Sequence, residues 1–191
     1  SNCFEVMNIL DIGANIGYYN AIFSQLVGVN GTVISIEPDE ESYKYLTKSV
    51  NSFNYKNVFS FRLAASDTKQ KLPLYISKDN RGDNRLYSTN KKRNSIIVEC
   101  LTVDELLKKM KIENLDLIKI DVQGYEPKVL KGLRKILKSS KELILLTEFW
   151  PKGILQAGEN PKEFLDMLRK MQFQLFELKR NGSLILIKPC D

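Results

Sequence analysis

The sequence of 191 residues contains no histidine. This absence excludes catalytic triads and dyads with a histidine base, and zinc centres with histidine ligands. Cysteines are scarce and far apart, at Cys3, Cys100 and Cys190, so we expect neither a disulfide framework nor a cysteine-rich zinc module. Such usage is typical of a reducing compartment and predicts a cytoplasmic protein. Any proton transfer must then use Asp, Glu, Lys, Tyr, Cys or water.

Long apolar runs are also lacking. No stretch approaches the roughly 20 apolar residues of a membrane-spanning helix, and no signal-peptide pattern opens the chain. Lys and Arg total 29 against 23 Asp and Glu, and this net charge of +6 permits an anionic partner without requiring one. The length and the 43% hydrophobic content predict a single globular domain over residues 1–191.

Short apolar runs alternate with helical patterns, as in a wound α/β sheet. Strands are expected at 8–12, 32–37, 58–65, 115–120 and 142–148, the last buried on both faces. Helices are expected at 18–27, after Pro38-Asp39, from Thr102 to about Met110, from Pro127 through Leu137, and after the Asn160 cap.

Two hairpins complete the pattern. Strands at 72–77 and 95–101 predict an inserted hairpin over about 72–101 with a long polar tip, and Asn181-Gly182 predicts a terminal antiparallel hairpin over 173–188. By analogy of topology, this order predicts a class I methyltransferase fold. That fold is a Rossmann-like three-layer sandwich whose mostly parallel sheet has seven strands and a C-terminal antiparallel hairpin.

A glycine turn follows the first strand. Gly13 and Gly17 form G-x-x-x-G after Asp11, but position 15 is Asn, so the middle glycine of the nicotinamide fingerprint is missing. Gly13 still allows a ligand to approach the backbone, and the amides that open the next helix suit a carboxylate. A glycine pair of this kind is equally compatible with an ordinary tight turn.

Polar residues also end the second and third strands. Glu37 lies about 20 residues beyond the glycine turn, the spacing at which an acid accepts from both hydroxyls of a ribose. Together with the turn, it favours a nucleoside ligand over a solvated acid. Ala65, Ser66 and Asp67 follow the third strand, where an adenine amino group could be bound, although short polar turns are common there.

Two further acids follow the fourth and fifth strands. Lys119 and Asp121 share one face of the fourth strand, and either a buried ion pair or an active-site pair explains them. Glu148 is the neighbouring acid on the same sheet edge. The two carboxylates could orient a hydroxyl, hold a hard cation or act as a base. We assign the base role to Asp121 first and Glu148 second, and predict no metal site.

These blocks, in this order, resemble FkbM-type methyltransferases over nearly the whole chain. The similarity is carried by residues 10–18, Ile36-Glu37-Pro38, residues 82–86, residues 117–126, residues 129–132 and Glu148-Phe149-Trp150-Pro151. Two positions depart from the family pattern. Asn84 stands where one branch often has His, which puts a ligand or base role there in doubt, and Gln123 stands where many members have Glu.

The resemblance implies S-adenosylmethionine as cofactor and O-methylation of a hydroxyl on a sugar, glycan or natural-product acceptor. It implies active-site roles for Asp121 and Glu148, and we count Asp121 among the cofactor-binding residues as well. It implies cofactor contacts for Glu37 and for the turn after the first strand, namely Asp11, Gly13, Ala14, Asn15 and Gly17.

Two other functions stay open. Nucleic-acid methylation is compatible with the basic balance, but the turn after the fourth strand lacks an N/D-P-P-Y/F motif, and basic runs such as residues 91–93 are typical of solvated faces. A non-catalytic binding module on the same fold is the second alternative function.

An acceptor pocket or ordinary packing explains the remaining aromatic and basic residues, namely Tyr87, Tyr125, Trp150 and the loop at 81–85.

Overall fold

The computed structural model describes residues 7–89 and 92–188. Its elements are, in chain order, β1 (Asn8–Ile12), α1 (Tyr18–Val27), β2 (Thr32–Ile36), α2 (Glu40–Ser52), β3 (Val58–Phe61), β4 (Ala64–Ala65), β5 (Gln70–Ile76), a 3-10 turn (Arg81–Asp83), β6 (Asn94–Leu101), α3 (Val103–Met110), β7 (Leu117–Ile120), α4 (Glu126–Lys131), α5 (Arg134–Ser139), β8 (Ile144–Thr147), α6 (Pro151–Gln156), α7 (Pro161–Lys170), β9 (Phe176–Leu178) and β10 (Leu184–Leu186). Every helix in this part of the chain is too short or too polar to span a bilayer.

Cys100 is a buried free thiol. The expectations for Cys3, Cys190 and Lys91 concern residues outside the described segments.

The centre of the fold is a sheet of five parallel strands in the order β3-β2-β1-β7-β8. Strands β1, β2 and β7 are rich in β-branched and leucine side chains, which suit a strand covered on both faces. The order reverses between β1 and β7, and wound sheets bind ligands at such a reversal, beyond the carboxyl ends of the strands. The predicted α/β fold with a parallel central sheet is therefore confirmed.

Helices cover both faces of this sheet. One face packs against α1 through Ile9, Phe23, Val27, Val33 and Val58. The opposite face packs against helices of the second half of the chain; its buried residues include Leu10, Ile12, Ile34, Ile36, Ile118, Ile120, Val129, Leu130, Leu133, Ile154 and Phe164. The two apolar clusters fix the sheet between helical layers and leave its carboxyl edge free.

The inserted hairpin is confirmed and forms a second sheet. Strand β5 runs antiparallel to β6, and β4 adds to β6 in parallel. The expected single strand at 58–65 is therefore wrong, because its two ends belong to different sheets. Val58–Phe61 pairs with β2, whereas Ala64–Ala65 pairs with Cys100 and Leu101.

The outer strands differ from the sequence prediction. Strand β8 is not buried on both faces, since Ile144 is 62% and Leu146 39% exposed at the edge of the parallel sheet. The terminal hairpin of β9 and β10 is antiparallel, but it forms its own two-stranded sheet. In the described segments no ladder joins it to β8, so the central sheet has five strands where seven were predicted. Apolar composition predicts a strand without specifying its neighbour.

The helices also differ from the sequence prediction in two places. The pattern from Pro127 predicts one helix, but Gly132 and Leu133 separate α4 from α5. A Cβ on Gly132 would lie 2.1 Å from the Ser66 carbonyl oxygen, so the break allows this close approach. Helix α6 was not predicted. The Asn160 cap is confirmed, because its side chain accepts from the amides of Lys162 and Glu163.

Gly13 lies where the segments after β1 and β7 come closest. Its φ of 78° is in the left-handed region, and a Cβ would stand 1.9 Å from the backbone oxygen of Asp121. The Asp121 amide in turn donates to the Ile12 carbonyl at 3.0 Å. Only glycine fits this crossing without displacing the segment that carries Asp121.

We expect Gly13→Ala to lower the free energy of unfolding by about 3 kcal/mol or more, from positive φ plus steric overlap. Gly158→Ala is the matched control, because Gly158 has a φ of 81° and a Cβ there would meet nothing within 4 Å. The control should cost about 1 kcal/mol. Chemical denaturation measures both, and equal losses would contradict the overlap at Gly13.

Candidate active site

The turn after β1 is held by the end of β2. The amides of Gly13 and Ala14 both donate to the Ile36 carbonyl at 3.0 Å. Asn15 has a left-handed φ of 51°, and Gly17, with a φ of 85°, opens α1. The turn is thus a rigid strand-to-helix connection in which the Asn15 amide points at Glu37.

Glu37 is a buried carboxylate at the end of β2. Its Oε2 accepts from the Asn15 amide and its Oε1 from the Asp39 amide, each at 2.8 Å. Burial raises the pKa of Glu37 to about 7, although the two amides oppose this. Each oxygen keeps a lone pair beyond its amide bond, so the carboxylate can still accept from a ligand.

A crevice opens over the carboxyl ends of β1, β2 and β7. Its lining includes Ile12, Gly13, Asn15, Ile36, Glu37, Pro38, Ala64, Ala65, Leu74, Arg81, Gly82, Asn84, Leu86, Asp121, Val122 and Gln123. The crevice therefore combines an apolar floor with acids at two positions, Glu37 and Asp121.

Five of the predicted cofactor residues line this crevice, and five do not. Gly13, Asn15, Glu37, Ala65 and Asp121 are in the lining; Asp11, Ala14, Gly17, Ser66 and Asp67 are not among the lining residues found in the described chain. The Ser66 hydroxyl donates to Asp67 Oδ1 at 3.1 Å, and Asp67 pairs with Lys128 at 3.4 Å. Ala14 and Gly17 shape the turn from beneath.

The tip of the inserted hairpin forms one wall of the crevice. Arg81 donates to both carboxylate oxygens of Asp39, at 3.1 and 2.9 Å, and also pairs with Glu41. Gly82 lies against Asn15, since a Cβ on Gly82 would be 3.3 Å from the Asn15 Nδ2. These contacts tie the tip to the start of α2. The basic character of Arg81 was visible in the sequence, but its partner in α2 was not.

Asp11 and Lys119 form a buried ion pair beneath the crevice. Lys119 Nζ donates to Asp11 Oδ1 at 3.1 Å and lies 3.9 Å from Asp121 Oδ2. The Tyr19 ring covers the ammonium at 5.1 Å. Burial raises the pKa of Asp11, against the opposing effect of Lys119, and Asp11 Oδ2 has no hydrogen-bond partner among the described residues. The buried ion pair expected for Lys119 is therefore present, and the active-site role of Lys119 and Asp121 stays a prediction.

The two predicted catalytic acids are bridged by one side chain. Gln123 Nε2 donates to Asp121 Oδ1 at 2.9 Å and to Glu148 Oε2 at 3.4 Å. Burial raises the pKa of Glu148, and the charge of Asp121 raises it further. Sequence reasoning found both acids but missed Gln123, whose position after Asp121 was the available signal.

Glu126 shapes the loop that carries Gln123. Its Oε1 accepts from the amides of Val122 and Gly124, at 3.0 and 3.2 Å, around a turn with left-handed φ at Gln123 and a φ of 100° at Gly124. Burial raises the pKa of Glu126 to about 7, and within the part of the chain that the structure describes its Oε2 has no hydrogen-bond partner. The Tyr87 hydroxyl donates to the Gln123 carbonyl at 2.6 Å. This loop geometry was not predicted.

A second cavity, which we call the basin, meets the crevice at Gln123. Its lining includes Ser77, Lys78, Asp79, Asn80, Asp83, Arg85, Lys92, Arg93, Gln123, Glu148 and Trp150. Tyr87 and Tyr125 are buried in the core, which favours the packing alternative for them, whereas Trp150 and Arg85 line the basin. In the described segments, no three acidic or cysteine side chains converge as a metal site.

The chain is similar in sequence to known methyltransferases. A family model described as the methyltransferase FkbM domain matches residues 11–178. The chain is 24% identical, over 92% of its length and 68% of the relative's, to the hexuronic acid methyltransferase AglP of Haloferax volcanii.

Two solved structures have the same fold. The methyltransferase FkbM of Methylobacillus flagellatus superposes with a TM-score of 0.58 at 16% identity, over 86% of this chain and 36% of that one. Fibrillarin of Aeropyrum pernix, solved with natively bound S-adenosyl-L-methionine, superposes with a TM-score of 0.51 at 14% identity, over 92% and 59%. This chain thus spans about a third of the M. flagellatus protein.

Glu126 makes stability depend on pH. Its pKa of about 7 in the folded protein exceeds the ordinary value of 4.5, so its contribution is complete below pH 4.5 and is lost as the pH rises through 7. Glu126→Gln keeps an acceptor oxygen for both amides and carries no charge. As the pH rises from 4.5 to 8, we expect the free energy of unfolding of the variant to increase relative to that of wild type by on the order of 2 kcal/mol.

Urea unfolding across that pH range measures the difference. The exposed Glu113→Gln is the matched control for removing one carboxylate. A stability difference between Glu126→Gln and wild type that stays constant across the range would contradict the buried, partly protonated Glu126.

Proposed function

The chain belongs to the FkbM methyltransferase family, and we propose that it is an S-adenosylmethionine-dependent O-methyltransferase whose acceptor is a hydroxyl group of a sugar or glycan. The observation that carries the proposal is the arrangement of Glu37, Gln123 and Asp121 around one crevice that opens into the basin.

The crevice fits the nucleoside part of this cofactor. Glu37 keeps a free lone pair on each oxygen, which suits the two hydroxyls of a ribose. Gly13 lines the crevice, and Ala65 and Leu86 offer apolar contact for a purine. Fibrillarin, which shares the fold, holds S-adenosyl-L-methionine in its own structure.

The bound cofactor supplies a methyl group activated by a sulfonium. A sugar hydroxyl is a weak nucleophile, so a base of this chain must take its proton as the new carbon–oxygen bond forms. Asp121 lines the crevice and Glu148 lines the basin, and the side-chain amide of Gln123 donates to one oxygen of each. We assign the role of general base to Asp121, and Glu148 orients the hydroxyl from the basin side.

A sugar acceptor is supported by two observations. The Haloferax volcanii relative carries the name of a hexuronic acid methyltransferase. The basin beside Gln123 is polar, lined mainly by charged and amide side chains with Trp150 as its aromatic ring. Polyhydroxylated rings are bound by such combinations of hydrogen-bonding groups and an aromatic side chain.

We expect Glu37→Gln to weaken S-adenosylmethionine binding by about 10- to 100-fold, because an amide can accept from only one of two ribose hydroxyls. Isothermal titration calorimetry measures the affinity. Glu40→Gln, which removes an exposed carboxylate paired with Arg62 nearby, is the control and should bind as wild type. Equal affinities of Glu37→Gln and wild type would remove Glu37 from the cofactor site.

We expect Asp121→Asn to lower methyl transfer by about 10²- to 10⁴-fold while S-adenosylmethionine still binds, because the base is lost and the shape is kept. Transfer of a radiolabelled methyl group to a panel of sugars and glycans provides the assay and tests the acceptor class. Asp166→Asn, in an ion pair of α7 far from the crevice, is the control.

Glu148→Gln should cause a smaller loss than Asp121→Asn. If the ranking is reversed, Glu148 is the base. If Asp121→Asn retains wild-type activity, the assignment of the proton to Asp121 is wrong.

A further inference from the structure

The basin contains two nearly buried arginines that share one carboxylate. The side chains of Arg85 and Arg93 are only 12% and 8% exposed, and both pair with Asp83. Arg85 Nε donates to Asp83 Oδ1 at 2.8 Å, and Arg93 also donates to the Asp83 backbone carbonyl. Burial raises the pKa of Asp83, but the hydrogen bonds from Arg93 and Arg85 outweigh it and lower the pKa. The carboxylate is therefore charged, and one positive charge of the trio remains uncompensated.

The other direct contacts of Arg85 in the described segments carry no charge. Arg85 lies over the Trp150 ring at 4.6 Å and donates to the Gln156 amide oxygen at 3.3 Å, and both partners are neutral. The remaining charged groups of the lining are Lys78, Asp79, Lys92 and Glu148. Two of these are positive and two negative, so the lining as a whole keeps the surplus positive charge.

An excess cation at low exposure is costly unless an anion completes it. Lys78 and Lys92 are exposed at the rim and extend the positive region outwards. Gln123 lines both the basin and the crevice, and its side-chain amide donates to Glu148 at 3.4 Å. A ligand with one anionic group and several hydroxyls matches this combination of cations and hydrogen-bonding groups.

Building on the proposed function, we propose that the basin selects an acidic sugar, whose anionic group binds Arg85, Arg93 and Lys92 while a hydroxyl of the same ring faces Glu148 and Gln123. Either a carboxylate or a phosphate provides the required negative charge and hydrogen-bond acceptors. Guanidinium groups bind either one through paired hydrogen bonds.

Trp150 is the only tryptophan of the chain and lies in the basin, so its fluorescence reports binding there. We expect D-glucuronate or D-glucose 6-phosphate to cause a saturable change, with D-glucose binding about tenfold more weakly or not at all. Ionic strength is kept constant with chloride, because exposed charges are screened by salt. A response to glucuronate alone assigns a carboxylate, and a response to the phosphate alone assigns a phosphate ester.

Two variants test the named residues. Lys92→Gln removes a rim charge without touching the Asp83 trio and should weaken the acidic probe about fivefold. Arg93→Gln should weaken it more, with folding checked by circular dichroism. Lys48→Gln, on the exposed face of α2, is the control and should bind as wild type. Equal binding of glucose and the acidic probes, no response to any probe, or unchanged affinity in both basin variants would overturn the inference.

The outcome is separable from that of the proposed function. Methyl transfer to neutral and acidic sugars with equal efficiency refutes the acidic acceptor and leaves the O-methyltransferase standing. Failure to bind S-adenosylmethionine in calorimetry refutes the proposed function, whereas the fluorescence response of Trp150 still decides whether the basin binds anions.

Discussion

The backbone crossing between Gly13 and Asp121 is the constraint on which the site depends. Four of the five strands of the central sheet, β1, β2, β7 and β8, continue their ladders one residue further. The amides of Gly13, Glu37, Asp121 and Glu148 donate to the carbonyls of Ile36, Phe61, Ile12 and Ile120, respectively. Every acid that defines the crevice edge is therefore fixed by a main-chain hydrogen bond. The close approach at Gly13 sets the spacing of the two segments that meet at the reversal of strand order.

The acids near this edge perform different tasks because their surroundings differ. Glu37 and Glu126 are buried and accept from backbone amides, which replace water as their solvation and hold two loops in shape. Asp121, 46% exposed, has its oxygens open to a ligand. Lys119, beneath it, balances Asp11 and keeps a positive charge close to the edge. Glu37 and Glu126 thus hold the backbone in place, whereas Asp121 and Glu148 are the exposed acids to which the proposed function gives the chemistry.

The sequence predicts the parts of this arrangement that short-range patterns encode. Strand β1 and helix α1 have the predicted bounds, and the ends of β2 and β7 carry the predicted Glu37 and Asp121. These succeed because a buried strand is a short apolar run and a site acid follows directly after it. The contacts of Gln123 and Arg81 were not predicted. Gln123 donates to Glu148, 25 positions away, and Arg81 donates to Asp39, 42 positions away, so only the fold brings each pair together. Strand pairing at β8 depends on neighbours in the same way.

In the tip of the inserted hairpin, residues that alternate along the chain line two different cavities. Arg81, Gly82, Asn84 and Leu86 belong to the crevice wall, whereas Asp83 and Arg85 belong to the basin. The tip is clamped to α2 by Arg81 on one side and stacked on Trp150 by Arg85 on the other. Within the proposed enzyme, substitutions at the basin-facing positions can diversify what is recognised while the opposite side of the same short segment stays unchanged. In the proposed enzyme, choice of acceptor and retention of the methyl donor thus fall to opposite sides of one short segment.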